Sequence, residues 1–306
     1  MKALVLGLLA LVWLGVGVHG AFSYGNAYLT YRGFPPPKDP PGVAPGRLVK
    51  QQFYSRALGE DRTYLVYEPP GYAAAAARGQ RFPVLYLLHG APGSPHVFIN
   101  VAGAGVALDK GLAAGTMRPF LLVMPNGDDG SFRKDTEWAD TPHGRYESFV
   151  IDVVHDADAR FATRPKRVDR GLAGDSEGGF AAVNIALHHI GTFGLAESWG
   201  GYLRQKPEGV FAHTPATLLW HNEPPLFLPH VAARLRGEPF HAYLYKGSRE
   251  TAFVKNRMRR FAGRLRSYGA DATFSVFPGG HDWRLWRRQT PRMLAYASQS
   301  FGAARR

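Results

Sequence analysis

No cysteine occurs among the 306 residues. That excludes disulfides, thiolate metal centres, a cysteine nucleophile and a lipid-modified N-terminal cysteine, and leaves the compartment open. Acidic residues are also few: 24 Asp and Glu face 37 Lys and Arg, a net charge of +13. The imbalance is steepest in residues 246–306, where 14 Lys and Arg meet only Glu250, Asp271 and Asp282. A basic surface of this kind suits an anionic membrane or cell-wall polymer, or is a solvated face and no more. No nucleic-acid module is visible, so nucleic acid is not an expected partner. No internal repeat is visible either. The apolar run Ala3–Val18 is slightly short for a spanning helix. Met1-Lys2 before it and Val18-His19-Gly20-Ala21 after it give it the form of a signal peptide, either cleaved or kept as an anchor. A secreted or envelope-associated protein is therefore expected.

The hydrophobic fraction of 45% is that of a globular chain with a real core. After a leader over 1–20, residues 21–46 form an N-terminal extension, and 34–46 within it is a Pro-rich, solvated spacer. Residues 47–306 then read as one domain. Segments 48–57 and 62–68 predict a hairpin around Gly59-Glu60-Asp61. Continuous apolar runs at 82–90 and 120–125 predict strands buried on both faces. A helix is predicted over 146–161, a strand over 168–173 and a helix over 177–189. A strand over 240–245, an amphipathic helix over 251–268, a strand over 273–277 and a closing helix over 289–301 follow. This alternation predicts an α/β fold, a mainly parallel sheet with helices on both faces. Residues 200–238, with weak periodicity, are a candidate small cap.

The chemistry is concentrated at Gly174-Asp-Ser176-Glu-Gly178, a G-x-S-x-G between a strand and a helix. This is the form of a nucleophile elbow, which projects a serine from the sheet beside a helix N-terminus. A serine hydroxyl needs a base, and the base needs a carboxylate to orient it. The order Ser, acid, His nominates His281 in Pro278-Gly-Gly-His281-Asp-Trp283, after the last strand. Glu250, a short turn after the strand 240–245, is the candidate acid. His89 ends a strand before the elbow and has the wrong order. His188 and His189 end the elbow helix and are expected to meet its carbonyls. The backbone N–H groups of Ala91 and Glu177 are candidate oxyanion donors. Trp138, Trp283 and Trp286 are candidate substrate-facing residues, and equally candidate packing residues. No cluster with metal-ligand spacing is visible, so neither metal nor organic cofactor is expected.

Four blocks carry a resemblance: Tyr86-Leu-Leu-His-Gly90, Met124-Pro-Asn-Gly127 with Ser131-Phe132, Gly174-Asp-Ser-Glu-Gly-Gly179, and His281-Asp-Trp-Arg-Leu-Trp286. With Tyr146-Glu147-Ser-Phe149, they make residues 48–290 resemble the putative-esterase family of α/β-hydrolases. That family contains esterase D, feruloyl esterases and secreted mycolyltransferases. The resemblance implies Ser176 as nucleophile, His281 as base, Glu250 as acid, and Ala91 and Glu177 as the oxyanion hole. The chain departs from the family in having Glu at 177, where a carboxylate would perturb the base or repel anionic substrates, and in a loose Gly247-Ser-Arg-Glu250 acid motif. Three readings follow: a serine esterase acting on a small-molecule, lipid or sugar ester; an acyltransferase to a sugar or lipid hydroxyl; and a non-catalytic protein binding an anionic surface.

Overall fold

The computed structural model describes residues 23–131 and 135–302. The expected leader, 1–20, lies outside the described residues. Residues 23–31 are helical (α1). The hairpin forms as predicted: β1 (Arg47–Ser55) pairs antiparallel with β2 (Glu60–Glu68). Then come α2 (Tyr72–Ala77), β3 (Val84–Leu88), α3 (His96–Asn100), α4 (Ala104–Ala113) and β4 (Leu121–Pro125). A two-residue ladder, β5 (Asp140–Thr141) with β6 (Gly144–Arg145), leads into α5 (Tyr146–Arg160). The central unit is β7 (Arg170–Asp175), α6 (Glu177–His188) and β8 (Leu195–Trp199). The chain ends with α7 (Ala216–His221), α8 (Pro224–Gly237), β9 (His241–Gly247), α9 (Ala252–Ser267), β10 (Asp271–Phe277) and α10 (Trp283–Ser300).

Eight strands form one sheet in the order β1-β2-β4-β3-β7-β8-β9-β10. From β4 to β10 every pairing is parallel, and β2 joins antiparallel. Side chains alternate across a strand, so each central strand supplies both cores. Val84, Tyr86 and Leu88 of β3 enter a cluster with Phe149 of α5, Phe180 of α6, Leu228 of α8 and Phe261 of α9. Leu85 and Leu87 enter the other, with Phe98 of α3, Leu108 of α4 and Leu294 of α10. The sheet is thus covered on both faces, as the alternation of elements predicts.

Three elements differ from expectation. β8, between β7 and β9, was not anticipated because Glu197 and Ser198 interrupt its apolar run; both are fully buried, and Glu197 accepts a hydrogen bond from the Trp199 indole at 2.9 Å. α10 starts at Trp283 instead of 289. The Asp282 side chain accepts from the Leu285 N–H and caps it there, and Pro291, which reads as a first-turn residue, lies in the helix interior. Residues 216–237 form α7 and α8, and Phe227, Leu228 and Leu235 of α8 are buried in the α6 core cluster. This stretch is part of the helical layer more than a separate cap. The Pro-rich segment is irregular and mostly exposed. It is fastened at Phe34, on whose ring the Arg287 guanidinium lies at 5.1 Å.

Candidate active site

β7 delivers the chain to Ser176 at φ 51° and ψ −115°. A non-glycine residue at positive φ is strained. Here the flanking structure enforces it: the Ser176 N–H donates to the Trp199 carbonyl at 3.0 Å, and the Gly179 and Phe180 N–H groups donate to the Ser176 carbonyl. The turn is this tight because α6 lies almost on β3. A Cβ placed on Gly178 would stand 1.8 Å from the Leu88 carbonyl oxygen.

His281 comes from the loop between β10 and α10. Its Nε2 lies 2.8 Å from Ser176 Oγ, although 105 residues separate them in sequence. Glu250 follows β9, which pairs with both β8 and β10. Its Oε1 accepts the Gly247 N–H at 2.8 Å, and its Oε2 accepts from Lys246 Nζ at 2.6 Å. His281 Nδ1 stands 3.6 Å from the same Oε2, longer than a hydrogen bond. Lys246, with a side chain 4% exposed, also donates to the Gly200 carbonyl at 2.8 Å. It fixes the carboxylate between the end of β9 and the turn after β8. The sequence offered only a weak sign of this role, a lysine closing an otherwise apolar strand.

Burial alone would raise the Glu250 pKa, but the approach of the His281 ring and the charge and hydrogen bond of Lys246 outweigh it and hold the carboxyl at about 2. With its folded pKa depressed from 4.5, Glu250 contributes stability that is complete above pH 4.5 and is lost as pH falls toward 2. Glu250→Gln should therefore flatten the fall of melting temperature between pH 4.5 and 2. It should also lower the melting temperature at neutral pH, because Lys246 is left buried without a counter-charge. Thermal unfolding of both proteins across that range checks this; parallel curves would remove the Glu250–Lys246 account.

The expected oxyanion donors adjoin Ser176. Glu177 opens α6, and a Cβ on Gly90, next to Ala91, would stand 3.0 Å from Ser176 Cβ. The Glu177 side chain turns inward and is not presented to the mouth of the site. It is 4% exposed and accepts N–H bonds from Thr136 and Glu137. Burial first, then Glu137 and Asp135, push its pKa well above its ordinary value.

The tryptophans divide. Trp138 is 1% exposed, donates its indole N–H to the His89 carbonyl at 2.9 Å and stands edge-on to the His89 ring. It has no face left for a substrate, which corrects its candidacy. Trp286 is 6% exposed and packs edge-on against His281 at 5.0 Å; it also supports more than it presents. Trp283, only partly buried, stacks edge-on against Trp286 at 4.9 Å. His89 braces the loops instead, its Nε2 accepting the Gly127 N–H at 3.1 Å. His188 and His189 turn to Glu147 of α5 and not to the carbonyls of their own helix.

Comparison with known proteins gives the family and the fold. The family model described as Putative esterase matches residues 55–297. An endo-1,4-β-xylanase/feruloyl esterase of Xylanibacter ruminicola is 31% identical over 157 residues, covering 51% of this chain and 21% of that protein. An esterase of Mycobacterium tuberculosis is 30% identical over 156 residues, covering 51% of this chain and 32% of its own length. The matches thus span a third or less of these relatives. Among solved structures, a ferulic acid esterase superposes with a TM-score of 0.73 at 22% identity, covering 84% of this chain and all of that one. An S-formylglutathione hydrolase from Staphylococcus aureus gives 0.68 at 15% identity, covering 83% and 100%. With a family match over most of its length and a sheet of this topology, the chain belongs to the putative-esterase family and has the α/β-hydrolase fold.

Proposed function

We propose that the chain is a serine hydrolase that cleaves a carboxylic ester through an acyl-enzyme on Ser176. The observation that carries this reading is the 2.8 Å approach of His281 Nε2 to the Oγ of a serine held at positive φ. Ser176 Oγ attacks the ester carbonyl carbon while His281 Nε2 takes its proton. Negative charge develops on the carbonyl oxygen, facing the N–H groups of Ala91 and Glu177. The tetrahedral species collapses, the bond to the alkoxy oxygen breaks, and His281 returns the proton to the leaving alcohol. Water then attacks the acyl-enzyme, with His281 again the base, and releases the carboxylic acid and free Ser176. Glu250 keeps His281 in the tautomer with Nδ1 protonated and stabilises the imidazolium. The relatives' names, and the partly exposed Trp283 beside His281, favour an aromatic acyl ester of the feruloyl kind.

Intact mass after fluorophosphonate treatment tests the nucleophile: one adduct per chain is expected. Hydrolysis of methyl ferulate against an aliphatic nitrophenyl ester then tests the acyl preference, with the ferulate expected to give the higher kcat/KM. A folded protein that takes no adduct would sink the esterase reading in favour of a non-catalytic binder. Faster turnover and acylated product on adding a sugar or lipid alcohol would replace hydrolysis by transfer.

A further inference from the structure

At the far end of α6 from Ser176, about 17 Å along the helix axis, three elements bring together side chains that sequence spacing gave no reason to associate. Glu147 opens α5, His188 ends α6 and His221 ends α7. Their ligand atoms, one from each residue, all lie within 4.8 Å of one another. We propose that Glu147, His188 and His221 form a site for a divalent transition metal, zinc being the best match.

The donor set carries the choice of metal. Two imidazoles with one carboxylate suit borderline ions such as zinc, whereas calcium and magnesium take mostly oxygen ligands. The orientation of the ligands carries the choice of site. His188 Nε2 lies 2.9 Å from the His221 carbonyl, so this nitrogen is the donor and the ring is fixed with Nδ1 toward Glu147. Nδ1 stands 2.9 and 3.0 Å from the two carboxylate oxygens. A ligating histidine is ordinarily held in this way, with its second ring nitrogen donating to a carbonyl. His189 Nε2, 2.9 Å from Glu147 Oε1, steadies the carboxylate from the other side. In a tetrahedral zinc site neighbouring ligand atoms stand roughly 3.3 Å apart, so the Glu147–His188 pair needs to open only slightly to admit the ion in place of a bridging proton. Glu147 is buried, while His221 is exposed and provides the entry path. The His221 ring stacks on that of His188 at 4.1 Å between centroids, and being exposed it can turn its nitrogen inward without disturbing the core. A fourth position is left for water. The ion would tie α7 to the helix that leaves the nucleophile, a role independent of the ester chemistry.

The test is equilibrium dialysis of the full chain against ZnCl₂ after chelator treatment, beside His221→Ala. One zinc per chain is expected for the parent, with affinity reduced in the variant by at least the roughly 10–100-fold that even an outer-sphere loss costs. Cobalt should give the visible absorption of a tetrahedral nitrogen–oxygen site in the parent and not in the variant. Zinc should also raise the melting temperature of the parent alone. A parent that takes up no zinc would overturn the proposal. So would equal uptake by parent and variant, which would place the ion on other surface histidines.

Discussion

Ser176→Ala should abolish ester hydrolysis, lowering kcat by a factor on the order of 10⁶, while the protein stays folded. The substitution removes one oxygen from a half-buried side chain whose only described hydrogen-bond partner is His281. The backbone at 176 is held by the bonds to Trp199, Gly179 and Phe180, and none of them involves the side chain. Melting temperature should therefore stay close to that of the parent. His281→Ala should cost about as much, and the double variant little more, because the two groups act as one unit. The residual rate would come from the oxyanion donors and from substrate binding. Initial rates on a nitrophenyl ester, with thermal unfolding of each variant, check this. A loss smaller than about a hundredfold in a folded Ser176→Ala protein would mean that another group is the nucleophile.

The second large effect is structural. Gly178→Ala should lower stability by about 3 kcal/mol or more, the upper end of overpacking costs. The added carbon would stand 1.8 Å from the Leu88 oxygen and 2.4 Å from its carbon. Neither side can yield cheaply: Leu88 is in a central strand paired on β7, and Gly178 is in the first turn of α6. The helix must move off the sheet, and the elbow with it, so activity should fall alongside stability. A fall in melting temperature on the order of 10 °C corresponds to this for a chain of such size. Gly263→Ala provides the contrast. That glycine lies inside α9, and its added carbon would meet only the Arg266 guanidinium at 3.8 Å. There the better helix propensity of Ala should raise stability by roughly 0.5–1 kcal/mol. If the two variants shift stability alike, close approach of α6 to the sheet is not what requires Gly178.

Much of this arrangement was legible because local signals and chain order agreed. The continuous apolar runs of β3 and β4, the glycines around Ser176 and the glycine loop before His281 each have one economical reading, and together they fix the order of the site. Other parts were hidden for definite reasons. β8 carries a buried Glu and Ser, which an apolar-run reading does not expect in a central strand; Glu197 accepts the Trp199 indole N–H there. The tryptophans look alike in a sequence, and only burial separates Trp138 from Trp283. Glu177 reads as an exposed carboxylate because identity is visible and burial is not. The Glu147–His188–His221 cluster draws on α5, α6 and α7, so no spacing rule reaches it.

The edge position of β10 has a further consequence for the life of the chain. Every strand from β1 to β9 can find its neighbours before residue 271 has been added, since β10 pairs only with β9. Ser176 and Glu250 therefore sit on strands whose pairing is complete without β10 apart from one edge of β9, whereas His281 is carried on the loop after that outer strand. A chain cut before residue 271 would keep seven of the eight strands and yet lack the imidazole that stands against Ser176.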